Sequence, residues 1–120
     1  MALILVADDE ILLAEMLADL LEDAGYDVLT APHGRAALEI MKNRRPDLVI
    51  TDFMMPLMTG LELAEAIRAD GDMHALPVIL VTGAQGLLAR QRPGLFNLVV
   101  DKPYDPRMLL AEVERLVQNP

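Results

Sequence analysis

The chain has 120 residues, a formal net charge of −9 and no cysteine. Its length fits one domain, placed at residues 1–120, and a hydrophobic content of 53% allows a sizeable core. The negative charge and the few lysines and arginines argue against direct nucleic-acid binding, because a phosphate backbone would be repelled. The lack of cysteine excludes disulfides and thiolate metal sites, and it suits a reducing cytoplasm.

The sequence predicts no membrane span, since no apolar run approaches the roughly 18 residues that a span needs. The stretch Met1–Ala7 is apolar, but it carries no basic residue and is followed at once by Asp8 and Asp9. It therefore predicts a first strand and not a signal peptide. We expect a cytoplasmic protein without membrane contact.

Five short apolar runs alternate with longer segments along the chain. Nearly continuous runs of Val, Ile and Leu indicate strands covered on both faces, as in a parallel sheet. The second run is the most polar and suits a sheet edge. The predicted strands are Leu3–Ala7, Val28–Thr30, Leu48–Ile50, Val78–Val81 and Leu98–Val100.

The first two helices are predicted from apolar spacing. The first follows Glu10 and ends at Gly25, a residue common just after a helix. Its apolar face is predicted to comprise Leu13, Leu17, Leu20 and Ala24. The second helix is predicted over 35–43.

Capping signals locate two further helices. Thr59 and Glu62 form the pattern of a capping box, and the helix that they open is predicted to end near Gly71. The last helix begins at Asp105 and Pro106, an N-cap followed by proline at the first helical position. Its predicted buried residues are Leu109, Val113 and Leu116.

The fourth helical segment is interrupted by Gly86, Pro93 and Gly94, which leave only a short helical stretch near 87–91. Five alternating strands and helices predict an α/β domain with a doubly wound, five-stranded parallel sheet and right-handed crossovers. The polar second strand favours the order 2-1-3-4-5, which is flavodoxin-like with helices on both faces.

Polar residues follow the predicted strands at their carboxyl ends, where doubly wound proteins bind ligands. They are Asp8 and Asp9 after the first strand, then Asp52, Thr82 and Lys102 after the third, fourth and fifth. Each has an ordinary structural explanation as a cap, turn or strand-end residue. Their joint position at one edge of the sheet instead favours a site.

Three carboxylates at one edge cannot all stay ionised without a counter-charge, since two charges roughly 4 Å apart repel by about 4 kcal/mol at a dielectric constant near 20. Either one carboxylate takes up a proton or a cation binds. Mg²⁺ is favoured, because the ligands are all oxygens and it completes its shell with a phosphoryl oxygen. His33 and His74 are both expected at the surface, away from this edge.

Four motifs in order resemble the receiver domain of bacterial two-component response regulators. They are Asp8-Asp9, TDFMMPLMTG at 51–60, VILVTG at 78–83 and VVDKPY at 99–104. The resemblance covers almost the whole chain. It implies a phosphorelay role in signal transduction, in which Asp52 is the phosphoacceptor. The phosphoryl group would come from the phosphohistidine of a histidine kinase or a phosphotransfer protein.

The same resemblance implies a Mg²⁺ site. Asp9 would be the main carboxylate ligand, with Asp8 helping directly or through water. Asp52 and the backbone carbonyl of Met54 would be further ligands.

The resemblance also assigns roles at the phosphoryl group. Thr82 would hydrogen-bond its oxygens in the active state, and Lys102 would pair with its charge. The Lys102–Pro103 peptide bond would be cis. Residue chemistry agrees, since a carboxylate that attacks phosphorus gives an aspartyl phosphate and needs cations to screen the approach of two anions.

The chain departs from the family pattern at its output side. Val99 stands where receivers usually carry the aromatic residue that reports phosphorylation, and the interval from Thr82 to Lys102 is about two residues short. The signalling route is therefore expected to be atypical. Met54 cannot position an attacking water while Gly83 leaves the site open, so slow to moderate autodephosphorylation is expected.

Three functions compete at this point. The first is a receiver that catalyses only its own phosphorylation and dephosphorylation, and that switches a surface for a downstream protein target or output domain. The second is a receiver-fold interaction module with an unused switch, suggested by Val99. The third, a Mg²⁺-dependent phosphohydrolase, is disfavoured because Met54 stands where a second acid or base would be needed. A stand-alone regulator and a part of a larger protein both remain open.

Overall fold

The computed structural model describes residues 2–83 and 86–118, and within them five strands alternate with five helices. The strands are β1 (Leu3–Ala7), β2 (Asp27–Ala31), β3 (Leu48–Asp52), β4 (Val78–Thr82) and β5 (Leu98–Asp101). The helices are α1 (Ile11–Asp23), α2 (Gly34–Asn43), α3 (Gly60–Ala69), α4 (Gly86–Arg90) and α5 (Pro106–Gln118). All predicted strands are present, and four of them extend further than their apolar runs.

The strands form one parallel sheet in the order β2-β1-β3-β4-β5, which confirms the predicted fold. β1, β3 and β4 are buried along their whole length, whereas β2 at the edge is partly exposed. The carboxyl ends of all five strands therefore lie along one edge of the sheet.

Side chains alternate between the two faces of the sheet. In β1, Ile4 and Val6 pack in a cluster with α1 and α5, which includes the predicted buried residues of α5. Leu5 and Ala7 pack on the opposite face against α2 and α3. The sheet is thus covered on both sides, as its near-continuous apolar strands predicted.

The prediction of the buried face of α1 is wrong, because most of the buried positions are shifted by about one residue from the predicted ones. Leu13 is 40% exposed and Ala24 is also exposed. Leu17 is buried as predicted, and Leu20 packs at the margin of the core. The residues of α1 that are buried are Ala14, Leu17, Ala18 and Leu21. This helix is apolar over much of its circumference, and the two small alanines face the sheet.

Helix caps follow the sequence at several ends. Gly25 has a φ of 102°, as a glycine just beyond a helix needs. Thr59 and Glu62 form the predicted capping box, although α3 ends at Ala69, before Gly71. α2 begins at Gly34, one residue earlier than predicted.

The cap of α2 was missed by the sequence prediction. The Nδ1 atom of His33 accepts a hydrogen bond of 3.0 Å from the backbone N–H of Ala36. His33 is therefore a half-buried structural residue and not the surface residue expected, whereas His74 is exposed as expected. The imidazole acts here as serine or aspartate does at other N-caps.

α4 is short, as the glycines and the proline around it predicted, and comprises five residues. The start of the predicted irregular segment, at 84–85, lies outside the described residues. None of the helices in the described part of the chain has the length and apolar content needed to cross a membrane.

Candidate functional site

The strand register brings the predicted site residues to one edge. Asp52 is the last residue of β3 and pairs with Val81, so Thr82 lies one step beyond it on β4. Thr82 in turn pairs with Asp101, the residue before Lys102. Asp8 and Asp9 follow directly after β1, the neighbour of β3.

Three carboxylates meet at this edge. One oxygen each from Asp8, Asp9 and Asp52 lies within 4.8 Å of the others. Asp52 is buried, Asp8 is half-buried and Asp9 is exposed. The cluster therefore has a buried inner end at Asp52 and an outer end that is open to solvent.

Lys102 provides the positive charge of the cluster. Its Nζ atom lies 3.4 Å from Oδ1 of Asp52, and the two side chains are 28% and 10% exposed. The same Oδ1 accepts a hydrogen bond of 2.9 Å from the backbone N–H of Phe53. Both contacts fix the orientation of the Asp52 carboxylate.

Burial dominates the electrostatics of this cluster. Desolvation raises the pKa of Asp52 above its usual value, although Lys102 and the Phe53 N–H act in the opposite direction. Desolvation likewise raises the pKa of Asp8, against a hydrogen bond from the Glu10 N–H and with a further rise from the charge of Asp52. The folded protein thus holds these two carboxylates in an environment that disfavours their charge.

This arrangement fits Mg²⁺. The side chains that could bind the cation are all carboxylates, which suit a hard divalent cation, and one of the three aspartates is exposed enough to leave room for coordinated water. Burial is the main cause of the raised pKa of Asp8 and Asp52, and a bound cation would stabilise the ionised carboxylates that burial disfavours.

The structure explains why glycine occurs at position 60, at the end of the β3–α3 turn. A side chain at Gly60 would overlap the backbone carbonyl of Asp52. The Gly60 N–H also donates a 2.8 Å hydrogen bond to the carbonyl of Phe53. Close approach of α3 to the end of β3 therefore requires glycine, and it holds the backbone under Asp52 in place.

Comparison with known proteins assigns the family. The sequence model of the response regulator receiver domain matches residues 4–114. The chain belongs to the response regulator receiver family.

Full-length relatives are longer than this receiver. The phosphate regulon transcriptional regulatory protein PhoB of Pseudomonas aeruginosa is 35% identical over 119 residues, which cover 97% of this chain and 52% of PhoB. The DNA-binding response regulator MtrA of Mycobacterium tuberculosis is 34% identical over 117 residues, covering 97% of this chain and 51% of MtrA. The receiver spans about half the length of these relatives.

Solved structures share the fold. The signal receiver domain of a signal transduction histidine kinase from Syntrophus aciditrophicus superimposes with a TM-score of 0.91 at 31% identity, covering 98% of this chain and 91% of that one. Chemotaxis response regulator CheY4 of Vibrio cholerae gives a TM-score of 0.87 at 34% identity, with 97% and 98% covered. The chain is thus similar both to a receiver from a kinase and to a chemotaxis regulator.

The backbone around the site has the features expected of a receiver. The Lys102–Pro103 peptide bond is cis, as predicted. The backbone N–H of Lys102 donates a 2.8 Å hydrogen bond to the carbonyl of Thr82, which extends the β4–β5 pairing to the lysine. Thr82 is buried, with 1% of its surface exposed, and Gly83 next to it is exposed.

Two other predicted residues lie close to this edge. Met54, two residues after Asp52, exposes 61% of its surface. Val99 is half-buried on β5 and packs against a small cluster that contains Phe53, Leu80 and Ala89. An aliphatic side chain therefore fills the usual position of the aromatic residue.

A cleft of about 570 Å³ adjoins the carboxylates, which the sequence did not predict. Its walls are mostly apolar and include Leu13 and Met16 of α1 and Tyr104 after the cis proline, and Asp52 and Lys102 also line it. Burial raises the pKa of the Tyr104 hydroxyl. The misassigned face of α1 explains the omission, because the sequence placed Leu13 in the core.

Proposed function

We propose that this receiver takes a phosphoryl group from a phosphohistidine onto Asp52 in a Mg²⁺-dependent reaction. One observation carries the proposal: the Asp52 carboxylate lies 3.4 Å from the Lys102 ammonium and within the cluster of three aspartates. A nucleophilic carboxylate, an ammonium and a hard-cation site are the groups that phosphoryl transfer to an aspartate needs.

In the proposed reaction, the free Oδ2 of Asp52 attacks phosphorus while Oδ1 keeps its hydrogen bond from Phe53. The new O–P bond forms as the P–N bond to the imidazole breaks, and the electron pair leaves with that nitrogen. Lys102 moves from the carboxylate to the transferred phosphoryl group, whose charge it balances. Thr82 donates its hydroxyl hydrogen to a phosphoryl oxygen.

The chain's own residues provide a place for the cation. Asp9 and Asp8, Asp52 and the backbone carbonyl of Met54 would hold Mg²⁺, which when bound reduces the repulsion between the carboxylate and the phosphoryl group. The raised pKa of Asp8 and of Asp52 supports this assignment, because a bound cation offsets the charge that burial disfavours.

A protein donor is supported by the surface around the site. Large apolar side chains are exposed there in an otherwise acidic molecule, at Ile11, Leu12 and Met16 of α1 and at Met54 and Leu57 of the β3–α3 turn. Such a patch is typical of protein–protein contacts. It favours a histidine kinase or phosphotransfer protein as donor, with a downstream target or output domain as the recipient of the signal in the cytoplasm.

The test is phosphorylation by acetyl phosphate or phosphoramidate with Mg²⁺. We expect the mass of one phosphoryl group to appear on the wild-type chain, to depend on Mg²⁺ and to be absent from Asp52→Asn. The matched control is Asp72→Asn, because Asp72 is exposed in the turn after α3. Equal labelling of Asp52→Asn and wild type would refute the assignment of the acceptor.

The second candidate is an interaction module whose switch is unused, which Val99 and the five-residue α4 favour. Beryllofluoride, a mimic of the phosphoryl group, separates the two. A receiver that switches changes its affinity for its partner when beryllofluoride and Mg²⁺ are added, whereas equal affinity supports the unused switch.

A hydrolysis half-life of seconds for the phosphorylated chain would contradict the slow to moderate dephosphorylation that we propose.

A further inference from the structure

Arg90, the last residue of α4, is bound to the end of β5. One guanidinium nitrogen donates to the backbone carbonyl of Val99 at 3.1 Å and to Oδ2 of Asp101 at 3.1 Å. The other terminal nitrogen lies 3.4 Å from Oδ1 of Asp101. We call this group, made of the Arg90 guanidinium, the Val99 carbonyl and the Asp101 carboxylate, the Arg90 clamp. It joins the short helix to the edge strand through charged and backbone contacts.

The strand end that the clamp holds is continuous with the candidate site. Asp101 directly precedes Lys102 and is paired with Thr82 across the sheet. The Lys102 N–H donates to the Thr82 carbonyl at 2.8 Å, and its Nζ lies 3.4 Å from Asp52. A shift of either Thr82 or Lys102 toward a phosphoryl group therefore displaces the backbone to which Arg90 is bound.

We propose that the Arg90 clamp couples the state of Asp52 to the position of α4, and that it stabilises the resting arrangement. This inference rests on the proposed function, because it assigns a regulatory contact to the same site. When a phosphoryl group draws Thr82 and Lys102 inward, the geometry of the clamp is disturbed and α4 is released from β5. The Arg90 guanidinium, the Val99 carbonyl and the Asp101 carboxylate thus connect α4 to β5 without using the side chain of Val99.

The connection that follows α4 is held by contacts with α3. Release of the clamp therefore moves α4 and leaves this connection in place. Arg92 forms an ion pair of 2.9 Å with Glu65 of α3. Arg68 of α3 donates to the carbonyl of Gly94 at 3.0 Å and to Oδ1 of Asn97 at 3.0 Å. These contacts hold the α4–β5 connection against α3 independently of Asp101.

Gly86, the first residue of α4, gives a way to disturb the clamp without changing any charge. A Cβ atom there would lie 2.5 Å from Oδ1 of Asp101 and 2.6 Å from a guanidinium nitrogen of Arg90. Both neighbours are the ends of side chains that can move aside. Gly86→Ala therefore displaces the side chains of the clamp without removing any ionisable group.

The experiment measures beryllofluoride binding with Mg²⁺, together with amide hydrogen exchange over 86–98, in the full chain. We expect Arg90→Gln, Asp101→Ala and Gly86→Ala each to bind beryllofluoride about two to five times more tightly than wild type, the range that an exposed ion pair supplies. Exchange in α4 should rise on binding in wild type and already be high in the variants. The double variant of Arg90 and Asp101 should match Arg90→Gln, because Arg90→Gln already removes the contact with Asp101 as well as the contact with the Val99 carbonyl.

Arg92→Gln is the matched control, because it removes an ion pair of similar exposure from the same segment without touching β5. It should bind beryllofluoride as wild type does. Wild-type affinity in all three clamp variants, or additive effects of Arg90→Gln and Asp101→Ala, would overturn the coupling. Failure of the wild-type chain to bind beryllofluoride would instead refute the proposed function, so the two failures are distinguishable.

Discussion

Replacing Asp8 by asparagine is the most direct test of the charge crowding at the site. The substitution removes one negative charge but keeps the side-chain oxygen that accepts the 3.0 Å hydrogen bond from the Glu10 N–H. Without a divalent cation at pH 7, we expect Asp8→Asn to be more stable than wild type. The reason is that desolvation and the neighbouring carboxylates already disfavour the ionised form of Asp8, as its raised pKa shows.

The magnitude follows from the separations in the cluster. At the limiting oxygen separation of 4.8 Å, a pair of carboxylates repels by about 3.5 kcal/mol at a dielectric constant near 20. Asp8 takes part in two such pairs, but Lys102 attracts it and solvent reaches the half-buried Asp8 and the exposed Asp9. After these offsets we expect a gain of about 1–2 kcal/mol in the free energy of unfolding.

The pH dependence has a definite sign. Because the pKa of Asp8 is raised in the folded state, the stability that its protonation provides is complete below the unfolded value near 3.8 and is lost as pH rises through the folded pKa. The advantage of Asp8→Asn should therefore be largest at neutral pH and should shrink as pH falls toward 3.8.

Urea denaturation at pH 7 and at pH 4.5 to 5, with EDTA or with excess Mg²⁺, is the assay. Mg²⁺ at 100 times its dissociation constant should stabilise wild type by about 2.7 kcal/mol, and Asp8→Asn by less because the substitution removes the charge of a proposed ligand. The stability advantage of Asp8→Asn over wild type should therefore be smaller in excess Mg²⁺ than in EDTA. If Asp8→Asn were less stable than wild type in EDTA at pH 7, the carboxylates would not be in electrostatic conflict and the reasoning would fail.

Three further substitutions test the fold, each by urea denaturation. His33→Ala should cost about 1 kcal/mol by removing the cap of α2, and His33→Asn should restore most of it. Leu57→Gly should stabilise the chain by up to about 1 kcal/mol, because Leu57 has a φ of 67°, and a loss would contradict strain there. Leu63→Ala, at a fully buried position, should cost about 2–5 kcal/mol, and a smaller cost would show that the core closes around the gap.

Strand positions were predictable because burial on both faces leaves nearly continuous apolar runs. The runs at Leu3–Ala7 and Val78–Val81 coincide with β1 and most of β4. The prediction failed for the buried face of α1. Apolar residues occupy so much of this helix that their spacing is compatible with either of two neighbouring faces being buried. The small side chains of Ala14 and Ala18 face the sheet, and hydrophobicity alone does not identify them as the buried set.

The strand-end rule placed Asp8, Asp9, Asp52 and Lys102 together, and the structure brings them together. It worked because parallel strands share one carboxyl edge, so sequence position relative to a strand end is enough. The Arg90–Asp101 contact was not predictable in this way. It depends on the path of the short helix α4, and nothing in the local sequence pattern specifies which residue of β5 Arg90 contacts.

The ion pairs Lys102–Asp52 and Arg90–Asp101, at the end of β5, differ in burial and therefore in their expected roles. Lys102 is mostly buried beside Asp52, where an opposite charge is needed to balance a desolvated carboxylate. Arg90 and Asp101 are 47% and 59% exposed, so their pairing adds little to folding stability. A contact of small energy can be broken by the arrival of a phosphoryl group, whereas a strong one would hold α4 in place in both states. The low energy of the Arg90 clamp is therefore what suits it to a switch.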